Sequence, residues 1–412
     1  MKPVRITIEG NFWDSQIYAS ELTLFGADGT IHRINWAWLI DELARQHSSA
    51  QTAIRVAFAD GELFYMEKVQ KMLRDPSIEN IVKQQLDELA ALCISGSQTQ
   101  WNTYWQVGAT PFDFLPTDTD IYYYRLFASG DDGVYSTSRS ASTDSQGRRS
   151  IKHHDGRVLQ IKASNQNTAV AAAGGADGLF ELTFNSKNRN FIDRTANVTH
   201  NACNACDWAF ESIIAWSDES AFFARFRENI DPQNKRKKLR TFDTILSQEQ
   251  IFGEQRLRTR SNTRVWGSHE KLFCISSEGL EILDYTPPPS GTIEQNSLLP
   301  PKSDFASKGQ LNPSKLGPKF DPAMIIATGT APFGTVLEYA TQLVVLRSDG
   351  GIETFEGEPV HWRVFPRSEH YSNQLHIIYE DSVVIVSFVH DYFIDQEAKL
   401  LGFAKGDNEF IV

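Results

Sequence analysis

One local pattern recurs along the whole chain: a short apolar or alternating run, a tight turn pair, then a second such run. Glu21–Phe25 leads through Asp28-Gly29 to Ile31–Ile34, and Ala53–Phe58 leads through Asp60-Gly61 to Leu63–Tyr65. Thr168–Ala172, Leu272–Ile275 and Leu343–Leu346 continue in the same way, through Asp177-Gly178, Glu278-Gly279 and Asp349-Gly350, into Leu179–Leu182, Leu280–Leu283 and Ile352–Phe355. Asp-Gly supplies the positive backbone angles of a tight hairpin, so each unit predicts two antiparallel strands. Val158–Ile161 predicts a further strand. Leu375–Tyr379 and Ser382–Phe388 are nearly continuous in apolar residues, which predicts sheet covered on both faces. One hairpin fits any fold, but this many along one chain require repeated antiparallel sheet.

Two helical stretches interrupt the pattern near the N-terminus. Trp36, Leu39, Ile40 and Leu43 fall at helical spacing, which predicts a one-faced helix over about 35–47. Asp75 can cap a second helix and Pro76 suits its first turn, with Ile78, Ile81, Val82, Leu86 and Leu89 as its stripe. This predicts an insertion over about 64–94; a separate α/β domain over 1–95 is the competing reading. Residues 136–150 hold eight Ser or Thr and no large apolar side chain, which predicts a loop. A Pro-, Ser-, Lys- and Gly-rich run over about 286–320 predicts a long flexible excursion.

Setting aside 66–94 and 286–320 leaves 348 residues, roughly 50 for each of seven units, against the ~40–50 of a propeller blade. Six units would need ~58 each, so the fold class predicted is all-β, a seven-bladed β-propeller with a six-bladed alternative. Two β-sandwich domains with a helical element are the other arrangement of the same strands. Over most of its length the chain resembles a divergent β-propeller of WD-repeat-like architecture. No Trp-Asp dipeptide closes any strand and no Gly-His pair opens a repeat, so the resemblance implies architecture alone. One domain over 1–412 is expected, closed by Val4–Glu9 pairing with C-terminal sheet.

Composition narrows the function classes. Hydrophobic residues make 41% and charged residues 22% of the 412, which excludes a disordered or collagen-like chain. A net charge of −12 argues against a generally basic nucleic-acid coat protein. Four cysteines cannot form a disulfide framework and suit a reducing, cytoplasmic setting. No run approaches the ~18 apolar residues of a membrane helix, so no membrane partner is expected.

Three local clusters could carry chemistry. His200, Cys203 and Cys206 offer zinc-ligand types in one turn, but no second Cys-x-x-Cys completes a tetrahedron. Reduced structural cysteines are therefore expected, with no metal and no cofactor. Residues 225–264 hold eleven Lys or Arg against five Asp or Glu, centred on Lys235, Arg236, Lys237 and Lys238. Such a run can grip phosphates, dock an acidic protein surface or stay solvated. Trp101, Tyr104 and Trp105 lie in a polar stretch where large aromatics can serve a partner instead of a core. His153-His154-Asp155 reads as polar turn chemistry beside Gly156. Phosphate-loop, dinucleotide, nucleophile-elbow and zinc-protease motifs are all absent from the sequence.

The expected function is a non-enzymatic protein-interaction scaffold, or a regulatory or accessory subunit of a cytosolic, prokaryotic complex, with one or more protein partners. A nucleic-acid-binding propeller using 235–264 is one alternative. An enzyme with its active site in the propeller channel is the other, because fold alone does not decide function.

Overall fold

Alternation at the N-terminus puts Val4, Ile6 and Ile8 on one face, and strand β1 (Val4–Glu9) buries all three completely. The computed structural model describes residues 2–388 except 59–65, 93, 98–103, 140–149, 186–191, 218–219, 231–237, 254–262, 269–270, 287–304, 313–315, 317–319, 348–350 and 369, with two short strand pieces at 399–400 and 403–404. These residues form two compact units, one chiefly from Met1–Pro111 and Ile325–Asn408, the other chiefly from Phe112–Ala141 and Arg148–Met324.

In the first unit, β2 (Phe12–Tyr18), β3 (Glu21–Gly26) and β4 (Thr30–Asn35) make an antiparallel meander. An insertion follows, with helices α1 (Trp36–Gln46), α2 (Gln51–Ala57), α3 (Glu67–Leu73) and α4 (Pro76–Ala90) and strand β5 (Ile94–Ser97). Only then does β6 (Gln106–Ala109) complete the sheet against β4. Asn35 caps α1 by accepting the Trp38 amide hydrogen at 2.8 Å, and Trp36, Leu39, Ile40 and Leu43 are its buried stripe. Asp75 caps α4 and Pro76 opens it, as the sequence predicts.

Two local expectations fail here. Ala53–Phe58, expected as a strand, lies in and just after α2, where Ala53, Ile54, Val56 and Ala57 are buried in the same core as α1 and α4. A short apolar run cannot be told from a buried helix by periodicity alone. Its expected partner, Asp60-Gly61 with Leu63–Tyr65, lies outside the described residues. Ile81 is 60% exposed, so the α4 stripe narrows to Val82, Leu86 and Leu89, with Ile78 partly packed.

The second unit contains four meanders. They are β7 (Asp118–Tyr122) to β10 (Ile151–Asp155) through β8 (Arg125–Gly130) and β9 (Gly133–Ser138); and β11 (Gln160–Ser164) to β14 (Ile192–Thr199) through β12 (Ala169–Ala173) and β13 (Leu179–Phe184). Next come β15 (Ala205–Ala209), β16 (Ser212–Trp216), β17 (Ala221–Ile230) and β18 (Lys238–Ser247), followed by the short helix α5 (Gln248–Phe252). The last is β19 (Arg264–Ser268), β20 (Lys271–Ser276), β21 (Gly279–Tyr285) and β22 (Phe305–Leu311). The expected excursion at 286–320 thus contains a strand, since β22 pairs with β21 from Tyr285↔Phe305 to Leu280↔Leu311. Its sequence, Phe-Ala-Ser-Lys-Gly-Gln-Leu, has no apolar alternation, because an outer strand needs only backbone pairing on one side.

Neighbouring sheets of this unit are tied by side chains of their first strands. Asp118 and Asp120 on β7 accept the amide hydrogens of Ile161 and Ala163 on β11 at 3.0 and 2.7 Å. Gln160 on β11 accepts the Cys206 amide hydrogen of β15 at 2.9 Å, and the Trp208 indole donates to the Lys162 carbonyl at 2.8 Å. First strands in adjacent sheets do not share a ladder, so short acceptors satisfy amides that would otherwise be buried unpaired.

The chain then returns to the first unit with β23 (Ala327–Ala331), β24 (Gly334–Tyr339), β25 (Gln342–Arg347) and β26 (Ile352–Glu356), and finally β27 (His361–Val364), β28 (Gln374–Ile378) and β29 (Ser382–Ser387). All five residues of β28 are buried, as its apolar run predicts. β29 pairs antiparallel with β1 from Val4↔Ser387 to Glu9↔Ser382, so the N-terminal strand is the fourth strand of the C-terminal sheet, as expected. β5 adds in parallel on the other edge of β1, with Ile6 opposite Ile94. Asp14 on β2 and Arg363 on β27 form a buried two-pronged ion pair, with Nη2 to Oδ2 at 2.6 Å. Strands make 55% and helices 17% of the described residues, and the seven four-stranded meanders, one extended by β5, are a seven-bladed β-propeller arrangement.

Candidate interaction surfaces

The aromatic stretch before β6 divides at a single residue. Trp105 is only 7% exposed and belongs to the core beneath the insertion, with its ring 6.3 Å from His32 in an edge-on contact. The expectation that Trp105 faces a partner is therefore corrected: just after the turn at Tyr104 its side chain is buried in that core. Tyr104 points outward. It is 50% exposed and stacks on Trp38 of α1 with ring centroids 3.5 Å apart and planes 24° from parallel. Trp38, one residue off the buried stripe of α1, went unnoticed in the sequence because its partner ring lies far along the chain. Trp101 lies outside the described residues.

In the basic segment, β17 and β18 are ten residues each, whereas β16 has five and pairs with β17 only from Ala221 to Ala224. The two long strands continue beyond β16 as a ribbon to the pair Ile230↔Lys238. Lys238 is the last paired residue; Lys235, Arg236 and Lys237 lie outside the described residues. Arg225 and Arg227 share the Asp243 carboxylate at 2.7 and 2.8 Å. Arg240 is largely buried, bonded to the Glu181 carboxylate and the Glu211 carbonyl, with its guanidinium 3.5 Å over the Phe226 ring. Three of the cations counted toward a phosphate grip are thus held in contacts within the sheets.

Cys203 and Cys206 are fully buried among Ala171, Leu179, Trp208 and Phe222. His200 is exposed, and the three do not converge as a ligand group. Burial pushes the Cys203 thiol up from 9.0 to about 12 and the Cys206 thiol well above its ordinary value. Both remain protonated thiols across the neutral range. Because the folded values are raised, any stability they contribute is complete below pH 9.0 and declines as pH rises toward about 12. Native protein at pH 8 is expected to resist iodoacetamide at Cys203 and Cys206, with alkylation read by mass spectrometry only after denaturation. Rapid modification of either in the folded state would contradict this placement.

The His153 cluster is more than turn chemistry. His153 lies on β10 and its Nε2 is 2.6 Å from the Ser136 hydroxyl of β9. The same hydroxyl oxygen accepts hydrogens from Arg125 Nε and Nη2 of β8 at 3.1 and 2.8 Å. With those hydrogens accepted, Ser136 donates its own to His153 Nε2, which leaves the imidazole proton on Nδ1. Burial first, and then the neighbouring Arg125, lower the His153 value from 6.5 to about 4. His154 packs on Phe180 with centroids 4.2 Å apart, and Asp155 pairs with Lys152 at 2.6 Å. The sequence shows His153 as one of an adjacent pair, but not the arginine 28 positions earlier that meets it, since only strand register joins them.

No helix among the described residues is long and apolar enough to cross a membrane. No protein-family model and no curated protein matches the chain. Among solved structures it is similar to the WD40 β-propeller domain of Doa1, at 9% identity and a TM-score of 0.44 over 96% of this chain and 95% of that one. It is also similar to the computationally designed Ika8 protein, at 8% identity and 0.44 over 94% and 99%. A chain of the mitotic checkpoint complex matches at 7% identity and 0.40 over 69% and 78%. The seven four-stranded meanders of the chain itself carry the assignment, which is a seven-bladed β-propeller arrangement.

Proposed function

We propose that the protein is a non-enzymatic protein-interaction scaffold, serving as an accessory or regulatory subunit of a cytosolic, prokaryotic complex. The observation that carries this reading is the Trp38–Tyr104 stack, which holds a half-exposed aromatic ring on the helical insertion, outside the buried stripes of α1 and α4. Tyr and Trp anchors are the side chains that most often dominate protein interfaces. In this reading Tyr104 and Trp101 contribute to partner capture, and Lys235, Arg236, Lys237 and Lys238 add a basic edge for an acidic protein surface. The pairing of Arg225, Arg227 and Arg240 within the sheets weighs against the nucleic-acid alternative.

Affinity purification from the native host, with and without nuclease, tests the proposal. A stoichiometric protein partner that survives nuclease is expected. Tyr104→Ala together with Trp38→Ala is expected to weaken its capture by about 2 kcal/mol or more while the melting temperature stays near wild type. Neutralising Lys235–Lys238 should change nucleic-acid retention little. Recovery only with RNA or DNA, lost steeply with salt, would replace the scaffold by the nucleic-acid reading.

A further inference from the structure

We propose that Arg125, Ser136 and His153, on three consecutive strands of one sheet, form a binding site for a phosphate group. Several other withdrawn guanidinium groups of this protein sit against carboxylates. Arg225 and Arg227 share Asp243, Arg240 meets Glu181, Arg347 meets Glu353 at 2.8 Å, and Arg363 meets Asp14. Arg125 is likewise half-buried, and burial lowers its affinity for its proton, yet its partner is the neutral Ser136 hydroxyl and no carboxylate among the described residues. A cation partly removed from water without a countercharge is an unfavourable arrangement that an anion relieves.

The geometry favours a tetrahedral oxyanion. Two guanidinium nitrogens are held against Ser136, which fixes the plane of the fork, and Nη1 is the remaining donor nitrogen for an anion. His153 stands on the far side of the same hydroxyl and is neutral while the site is unfilled. An arriving dianion offsets the repulsion from Arg125, so the imidazole can take up a proton on Nε2 and add a second positive charge to the site. The other charged pair on β10, Lys152 with Asp155, is satisfied internally. His154 is turned onto Phe180. Next to Arg125 in the chain, Tyr123 and Tyr124 sit in a turn with positive φ of 43° and 61°, which leaves the rings 42% and 56% exposed. Those rings can cover the organic part of a phosphate monoester, so the phosphate has two candidate sources: the free ion, or a monoester on an aromatic or similar carrier.

The test is an NMR titration of the His153 ring proton in the full chain, with inorganic phosphate, phenyl phosphate, acetate and chloride at matched ionic strength. Both phosphates are expected to saturate the signal with a Kd on the order of 1 mM and to raise the His153 pKa from its value of about 4. Arg125→Gln is expected to weaken this at least ~10-fold, whereas Arg157→Gln, which removes an exposed arginine paired with Asp131, is expected to leave it unchanged. Tighter phenyl phosphate would assign the site to monoesters, and equal binding would assign it to the free ion. Absence of a phosphate response, an equal response to acetate or chloride, or an equal loss in both arginine variants would overturn the proposal. Thermal melts of each variant confirm that the fold persists.

Discussion

Removing residues 1–9 is expected to abolish the cooperative folding of the unit built from the two chain ends. β1 lies between β29 and β5, and Val4, Ile6 and Ile8 are wholly buried in its core. Each such side chain contributes about 1.5–3 kcal/mol on burial. The strand also satisfies backbone groups along β29, six paired positions that would otherwise form a bare edge. Together these losses approach the roughly 5–15 kcal/mol that keeps a typical protein folded. Because the deletion can fail to express, Ile6→Ala provides the graded version and is expected to cost about 2–5 kcal/mol in urea denaturation. A deletion variant with an unchanged unfolding midpoint would show that β1 does not complete the C-terminal sheet.

The second large effect concerns the Asp14–Arg363 pair. Asp14 is completely buried, so Arg363→Ala strands a carboxylate without its counter-ion and is expected to destabilise by about 3–5 kcal/mol. Most of that loss comes from the abandoned charge. The double variant Asp14→Leu with Arg363→Met should therefore recover a large part of it, since replacing both partners with apolar groups of similar size removes the desolvation penalty. A double-mutant cycle by chemical denaturation reads this directly. Simple additivity of the two single variants would mean that the pair contributes no coupling.

These two contacts also illustrate what was legible before the structure. The β1–β29 pairing followed from a strongly alternating N-terminal strand and a C-terminal run too apolar for an edge, because both patterns reflect faces that must be covered. Nothing in the sequence ties Asp14 to Arg363, 349 positions apart. The same holds for the acceptors Asp118, Asp120 and Gln160. Their offsets of 43 and 46 residues to the amides they satisfy reveal a blade repeat that the turn pairs, irregularly spaced, concealed.

Local chemistry explains which parts of the candidate sites were visible. Asp75 acts within two residues of itself, so the start of α4 could be read directly, whereas α1 was legible from the spacing of Trp36, Leu39, Ile40 and Leu43. The reading of Ala53–Phe58 as a strand fails, since its apolar residues suit a buried helix as well as a strand, and the decision came from the core shared with α1 and α4. Tyr104 and Trp105 are adjacent and chemically alike, yet one is outside and the other inside. Their roles depend on which of the two side chains the turn directs into a core assembled from distant segments.

By itself, the sequence determined the class of structure: repeated hairpins, two helices placed in an insertion, reduced cysteines and a C-terminal sheet covered on both faces. Those properties arise from backbone conformation and from hydrophobic period, which act over a few residues. The tertiary structure alone decided which polar groups meet. Arg125 with His153, Arg240 with Glu181 and Trp38 with Tyr104 are brought together by strand register and helix placement. Side-chain contacts across sheets have no local period, so the chemistry of this surface becomes definite only when the chain is folded.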